Sequence, residues 1–259
     1  MSLATANAVR ETHTIEGTLV SVMRAGSGPP LLFLHGSDAF AAWQPFMTEL
    51  SAHFEVIVPD HPGFGASQVP TWLDTIGDLS HFYRAFIDAL DLHDIVLAGH
   101  GIGGWIAADL ALKNSAGVRA LILVDSAGLP PSVDGIDTFM CSPAEIRAAS
   151  YHNADLAPEL DDTARLQQPK NMLMTARLAW APRFYDPQLA KWLHRVNVPA
   201  LVVWGEHDAI FPLANAAAFA AAIPGARSVT IPNAGHLPHV EAPAAFAAAV
   251  TTFIEGVRS

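Results

Sequence analysis

The stretch Leu97-Ala-Gly-His-Gly-Ile-Gly-Gly104 has the spacing Gly-x-Ser-x-Gly, a strand–turn–helix elbow that presents a nucleophilic serine at a sharp bend. Gly99 and Gly103 hold the two glycine positions, and Gly101 stands where the attacking side chain belongs. Glycine has no side chain and cannot attack a carbonyl. The bend demands a positive φ at its central residue. That costs a residue with a Cβ about 1–3 kcal/mol, and glycine escapes the penalty. Glycine at this point is therefore expected to keep the fold and remove the nucleophile.

The two groups that would serve such a nucleophile are present. Asp208 closes Trp204-Gly-Glu-His-Asp208, and His236 lies in Asn233-Ala-Gly-His-Leu-Pro-His239. The chain order Gly101, Asp208, His236 is nucleophile position, acid, base. In a complete triad the acid fixes the imidazole tautomer and the imidazole takes the nucleophile's proton. Asp125, at the end of another apolar run, is an alternative acid. Glu206, His207 and Asp208 could suggest a metal cluster, but adjacent residues on a loop seldom converge on one ion. No metal site and no cofactor are expected.

The elements that must position these groups alternate. Apolar runs at Leu31–Leu34, Val56–Val58, Ile95–Ala98, Ala120–Val124 and Ala200–Trp204 read as buried strands. Ser228–Ile231 is a further strand, and Thr14–Met23 an antiparallel entry hairpin turning at Glu16-Gly17. Leu79, Phe82, Tyr83, Phe86, Ile87 and Leu90 form one helical stripe; Gly103–Leu112 and Ala242–Ile254 are further helices. Such alternation builds a mostly parallel sheet covered on both faces.

Residues 130–196 break the pattern. Ser142-Pro-Ala-Glu145 is a capped helix start, Asp186-Pro187 opens another, and Thr163–Trp180 is mainly helical with a break expected at Pro169. An all-helical insertion after the Ala120–Val124 strand would lie over the strand C-termini, where open α/β sheets bind ligands. The expected organisation is an α/β core of residues 1–129 and 197–259 with a helical lid at 130–196. Phe139, Met140, Cys141, Met172, Met174, Trp180, Phe184 and Tyr185 make that lid apolar and partly aromatic. Phe139, Met140, Met172 and Trp180 are the candidate substrate contacts, for an apolar or aromatic small molecule.

His35-Gly36, Asp60-His-Pro-Gly-Phe-Gly65, the elbow, Gly-Glu-His-Asp208 and Gly235-His-Leu-Pro-His239 occur in an order that resembles α/β-hydrolase-fold proteins of the esterase and C–C-hydrolase type, over nearly the whole chain. The resemblance implies the α/β-hydrolase fold, an eight-strand-type sheet, and an oxyanion hole made by the backbone N–H groups of Ser37 and Ile102. Ile102 also stands at a helix N-terminus, which favours an anion. Asp60 reads as a turn former, His100 as elbow scaffolding and His239 as structural. The Ser37 hydroxyl is a poor substitute nucleophile, because its expected place is on the oxyanion side.

Composition excludes several classes. A net charge of −11 with no basic stripe argues against nucleic acid. Cys141 is the one cysteine, so no disulfide forms within the chain. No run of 18 uncharged apolar residues and no signal peptide is recognisable, so the expectation is a cytoplasmic protein without membrane partners; a homo-oligomer is left open. Three functions fit these residues. One is a serine hydrolase whose nucleophile has been replaced by Gly101, inactive or slow in acyl transfer. Another is an enzyme without a covalent step that uses His236 as a general base, whether lyase, isomerase or water-activating hydrolase. The third is a binding protein that kept the pocket.

Overall fold

The apolar runs form the middle of one sheet, because each is buried on both faces. The computed structural model describes residues 8–257 apart from 114–115, 131–134, 158 and 160. Its strands are β1 (Val9–Ile15), β2 (Thr18–Ala25), β3 (Pro30–Leu34), β4 (Glu55–Pro59), β5 (Ile95–His100), β6 (Val118–Val124), β7 (Ala200–Gly205) and β8 (Arg227–Ile231). Among the described residues they make one eight-stranded sheet in the order β1-β2-β4-β3-β5-β6-β7-β8. β2 pairs antiparallel with both β1 and β4; the remaining pairings are parallel. The hairpin turns at Glu16 and Gly17, both at positive φ, the conformation that matches strand twist in a two-residue loop.

The helices are α1 (Pro45–Ser51), α2 (Ile76–Ala89), α3 (Ile102–Lys113), α4 (Pro143–Ser150), α5 (Asp162–Ala179), α6 (Pro187–Trp192), α7 (Ala214–Ala222), α8 (Pro238–Glu241) and α9 (Pro243–Val257). α1 and α9 cover one face through Phe46, Leu50, Phe246 and Phe253. α2, α3 and α7 cover the other through Leu79, Tyr83, Ile106 and Phe219. α2 starts on a reciprocal cap, with Thr75 Oγ1 accepting from Asp78 N–H and the Asp78 carboxylate accepting from Thr75 N–H. None of the described helices is long and apolar enough to cross a membrane.

α4, α5 and α6 fall between β6 and β7. The expected break at Pro169 is absent: α5 runs through it. Proline removes one helical hydrogen bond, to the Arg165 carbonyl, and Pro169 lies on the exposed side, where water can serve that oxygen. α5 is anchored on the loop after β4. Asn171 Oδ1 accepts from Gly65 N–H at 3.0 Å, Lys170 Nζ donates to the Gly65 and Ser67 carbonyls, and Met174 is buried.

The turn from β5 to α3 is packed to backbone contact. A Cβ on Gly99 would stand 2.2 Å from the Gly103 carbonyl oxygen, and one on Gly103 would stand 2.2 Å from that of Leu34. The first obstacle is backbone of α3 and the second backbone of β3, so neither can move without shifting an element. A Cβ on Gly101 would meet nothing closer than 3.6 Å. Gly99→Ala and Gly103→Ala are each expected to lose about 3 kcal/mol or more by overpacking. Gly101→Ala should lose only the strain of positive φ, about 1–2 kcal/mol. Urea unfolding of the three variants checks this, and equal losses at all three positions would contradict it.

Candidate active site

Gly101 sits between β5 and α3 at φ +53°. Its N–H donates to the Val124 carbonyl at 3.1 Å, and its own carbonyl accepts from Gly104, Trp105 and Ala127 at 3.0–3.2 Å. These bonds hold the turn to β6 and to the start of α3. The Cβ that Gly101 lacks would point into a gap, 3.6 Å from Gly36 Cα and 3.7 Å from His236 Nε2. An atom one bond beyond that Cβ could reach hydrogen-bond distance of the imidazole.

His236 is held from both ends. Its Nδ1–H donates to Asp208 Oδ2 at 2.9 Å, which leaves Nε2 as the acceptor facing Gly101. Its carbonyl accepts from His100 Nε2–H at 2.8 Å, so the histidine beside the elbow steadies the base. Asp208 is buried, its Oδ1 accepting from Ile210 N–H at 2.8 Å and Phe211 N–H at 3.0 Å. The base loop is braced from α8, where Glu241 accepts from Gly235 N–H at 2.6 Å and from His152 and Asn153 N–H at 3.2 and 2.9 Å.

The opposite wall is the loop after β3. His35 Nε2 accepts from His61 N–H at 2.9 Å, so Nδ1 carries the proton given to the Gly36 carbonyl at 2.7 Å. His61 Nε2–H donates to the His35 carbonyl at 2.8 Å, and its Nδ1 accepts from the Tyr83 hydroxyl. Both tautomers are thereby determined, and the loop carrying Ser37 is clamped to the loop after β4. Ser37 follows Gly36, and Ile102 opens α3. Among the described residues neither N–H is given to another group. Asp60 serves the turn: its Oδ2 accepts from Ala66 N–H at 2.9 Å and pairs with Arg10 at 3.1 Å.

The chemistry open to this arrangement is proton transfer by a tethered imidazole beside N–H donors, with no side chain at Gly101 to acylate. Polar atoms of Asp125, Asp208 and His236 lie within 4.8 Å of one another. The 2.9 Å contact between Asp208 and the ring N–H is a hydrogen bond, and we assign no metal-ligand role here. Glu206 and His207 are half exposed and 3.5 Å apart, turned away from buried Asp208.

The sequence profile of the Alpha/beta hydrolase family matches residues 31–249. The chain belongs to this family. It is 29% identical over 266 residues to a 2-hydroxymuconate semialdehyde hydrolase of a Pseudomonas species, covering 92% of this chain and 91% of that one. Among solved structures, it is similar to a serine hydrolase involved in carbazole degradation, with TM-score 0.77, 26% identity, and 96% and 99% of the two chains covered. A thermophilic esterase from Thermogutta terrifontis is also similar, with TM-score 0.74, 26% identity, and 97% and 100% covered. The fold is the α/β-hydrolase fold.

Among the candidates from sequence, Gly101, Asp208 and His236 come together, with Gly36-Ser37 and Ile102 alongside. The candidate substrate contacts divide. Met140 is 74% exposed and Met172 45% exposed. Phe139 stacks on Phe184 at 4.8 Å and meets Trp180 at 5.3 Å; Phe184 meets Phe211 at 5.7 Å, and Phe211 meets His236 at 5.3 Å. Sequence reading missed Phe211, Glu241 and His61. Phe211 follows Asp208 by three residues, the one local signal that it could share the acid's loop.

His239 is fully buried in a box of Phe33, Phe40, Phe46, Phe246 and His100, and neither ring nitrogen has a partner among the described residues. Burial, aided by nearby His236, brings its pKa down to about 3. Burial brings His35 down to about 4. An unfolded histidine titrates near 6.5, so the unfolded chain takes up protons first. The contribution of both groups is complete above about pH 6.5 and is lost as pH falls toward 4 and 3. At pH 5 each lost contribution is about 2 kcal/mol relative to pH 8. His239→Leu keeps the apolar box filled and should take about 2 kcal/mol off the stability lost between pH 8 and 5. Denaturant unfolding at the two pH values reads it, and an unchanged loss would contradict the assignment.

Proposed function

We infer that this chain hydrolyses an apolar or aromatic ester or C–C bond substrate, with His236–Asp208 acting as a general-base pair on water and without a covalent intermediate. The observation that carries the reading is the 3.7 Å from His236 Nε2 to the absent Gly101 Cβ: the base is aimed at the point where a nucleophile belongs, and that point is open. A water there gives its proton to Nε2 while its oxygen attacks the carbonyl carbon. The oxyanion that develops is met by the N–H groups of Ser37 and Ile102. As the tetrahedral species collapses, Nε2 returns the proton to the leaving group.

An ester and a ketone-type C–C substrate present the same electrophile, a carbonyl carbon. The names of the relatives, a 2-hydroxymuconate semialdehyde hydrolase and an esterase, fit either choice. The run Trp180, Phe139, Phe184, Phe211, ending against His236, supports an apolar or aromatic substrate. α4, α5 and α6 serve as its cover. Without acylation, turnover is slow: binding and oxyanion donors alone are worth roughly 10³–10⁴ over water.

Gly101→Ser tests this reading. The variant should fold, since strain of about 1–3 kcal/mol is small beside the ~5–15 kcal/mol stability of an ordinary protein. The new hydroxyl arrives within reach of Nε2. Hydrolysis of nitrophenyl esters should rise at least roughly 100-fold, with a burst and labelling by serine-directed phosphonates. A second change, His236→Ala, should abolish the gain. A folded Gly101→Ser protein inert to esters and phosphonates would overturn the hydrolytic reading in favour of a different base chemistry or of binding alone.

A further inference from the structure

A second carboxyl lies beside the pair that handles the proton. Asp125 directly follows β6 at φ +41°, a left-handed conformation that few residues with a Cβ adopt, and it is fully buried. Its Oδ1 accepts from Gly205 N–H at 3.0 Å. Its Oδ2 meets no N–H or hydroxyl among the described residues, and the Asp125 carboxyl lies with an oxygen within 4.8 Å of one of Asp208. Two ionised carboxylates in buried contact repel, and a shared proton turns the contact into a bond.

The inventory of donors decides which residue keeps that proton. Asp208 receives three N–H groups, from Ile210, Phe211 and His236. Asp125 receives one. Each N–H favours the ionised form, so the charge belongs to Asp208. Burial, the Asp208 charge and Glu241 on α8 all push the Asp125 carboxyl well above the usual carboxylate range. Among the described residues, the rings of His100 and His239 also face His236, both kept neutral by burial.

We propose that Asp125 is a protonated positioning residue whose Oδ2–H donates to Asp208. The bond gives Asp208 a fourth donor and holds the charge beside His236 at one rather than two. A second negative charge there would favour the imidazolium and occupy the Nε2 lone pair with a proton. The use of that lone pair as a base rests on the proposed function; the position of the proton on Asp125 does not.

The test is the titration of His236, followed by the NMR signal of its ring C–H in the full chain, with and without Asp125→Asn. Asparagine copies the neutral acid: its carbonyl can accept from Gly205 and its amide can donate to Asp208. The expected midpoint moves by less than about 0.3 pH unit. A fall of about one unit or more, the result of deleting a negative charge, would overturn the proposal. The unsubstituted chain supplies a second reading should the variant fail to fold. With aspartate labelled at the carboxyl carbon, Asp125 is expected in the protonated range at pH 7, and an ionised Asp125 signal contradicts the proposal. Neither readout involves turnover, so failure here leaves the hydrolytic reading standing, and failure of Gly101→Ser leaves this one standing.

Discussion

The hydrogen bond from His236 Nδ1 to Asp208 Oδ2 is the contact on which the rest of the site depends. Its partners come from separate loops, so the bond exists only if β7 and β8 end in register. Gly205 is paired with Ile231, and the two loops continue together, with Glu206 N–H on the Ile231 carbonyl at 3.0 Å and His207 N–H on that of Ala234 at 2.9 Å. They run so close that a Cβ on Gly205 would fall 1.8 Å from the Gly235 carbonyl oxygen. The parallel ladder thus sets the acid against the base, and the base, by its tautomer, presents Nε2 to Gly101.

Around this bond the chain gathers neutral histidines rather than cations. His100 gives its one N–H to the His236 carbonyl, His35 gives its own to the Gly36 carbonyl and His61 to the His35 carbonyl, and burial keeps these three imidazoles from protonating at ordinary pH. His239 is kept uncharged in the same way, and among the described residues the salt-bridge partner of Asp208 is His236. The influence of Asp208 falls on the one ring it touches. The cost is paid in acid, where the unfolded chain binds the protons that the fold refuses.

Part of this was legible in the sequence because the reactive positions follow strand-like runs. A buried strand must be apolar, and the residue after it is the first free to be otherwise. Gly101 and Asp125 directly follow β5 and β6 and announce themselves by that contrast, whereas Asp208 and His236 lie in the loops after β7 and β8 and were read from the motifs around them. Residues 130–196 yielded less. α5 has little amphipathic contrast, so its sequence does not say that Asn171 and Met174 turn inward while Met172 and Leu173 face out. Pro169 looked like a break and is accommodated because it lies on the exposed side. The closeness of Asp125 to Asp208 comes from β6–β7 pairing, and no spacing along the chain encodes it.

The central claim is that the base acts with no nucleophile of the protein's own. Its most direct measurement is the pre-steady-state reaction of the unsubstituted chain with an activated aromatic ester, followed by intact-protein mass. The account predicts product rising linearly from the first turnover, no acyl adduct on the protein, and loss of the rate above background in His236→Ala. A burst of about one equivalent with an acyl group on any residue would contradict it.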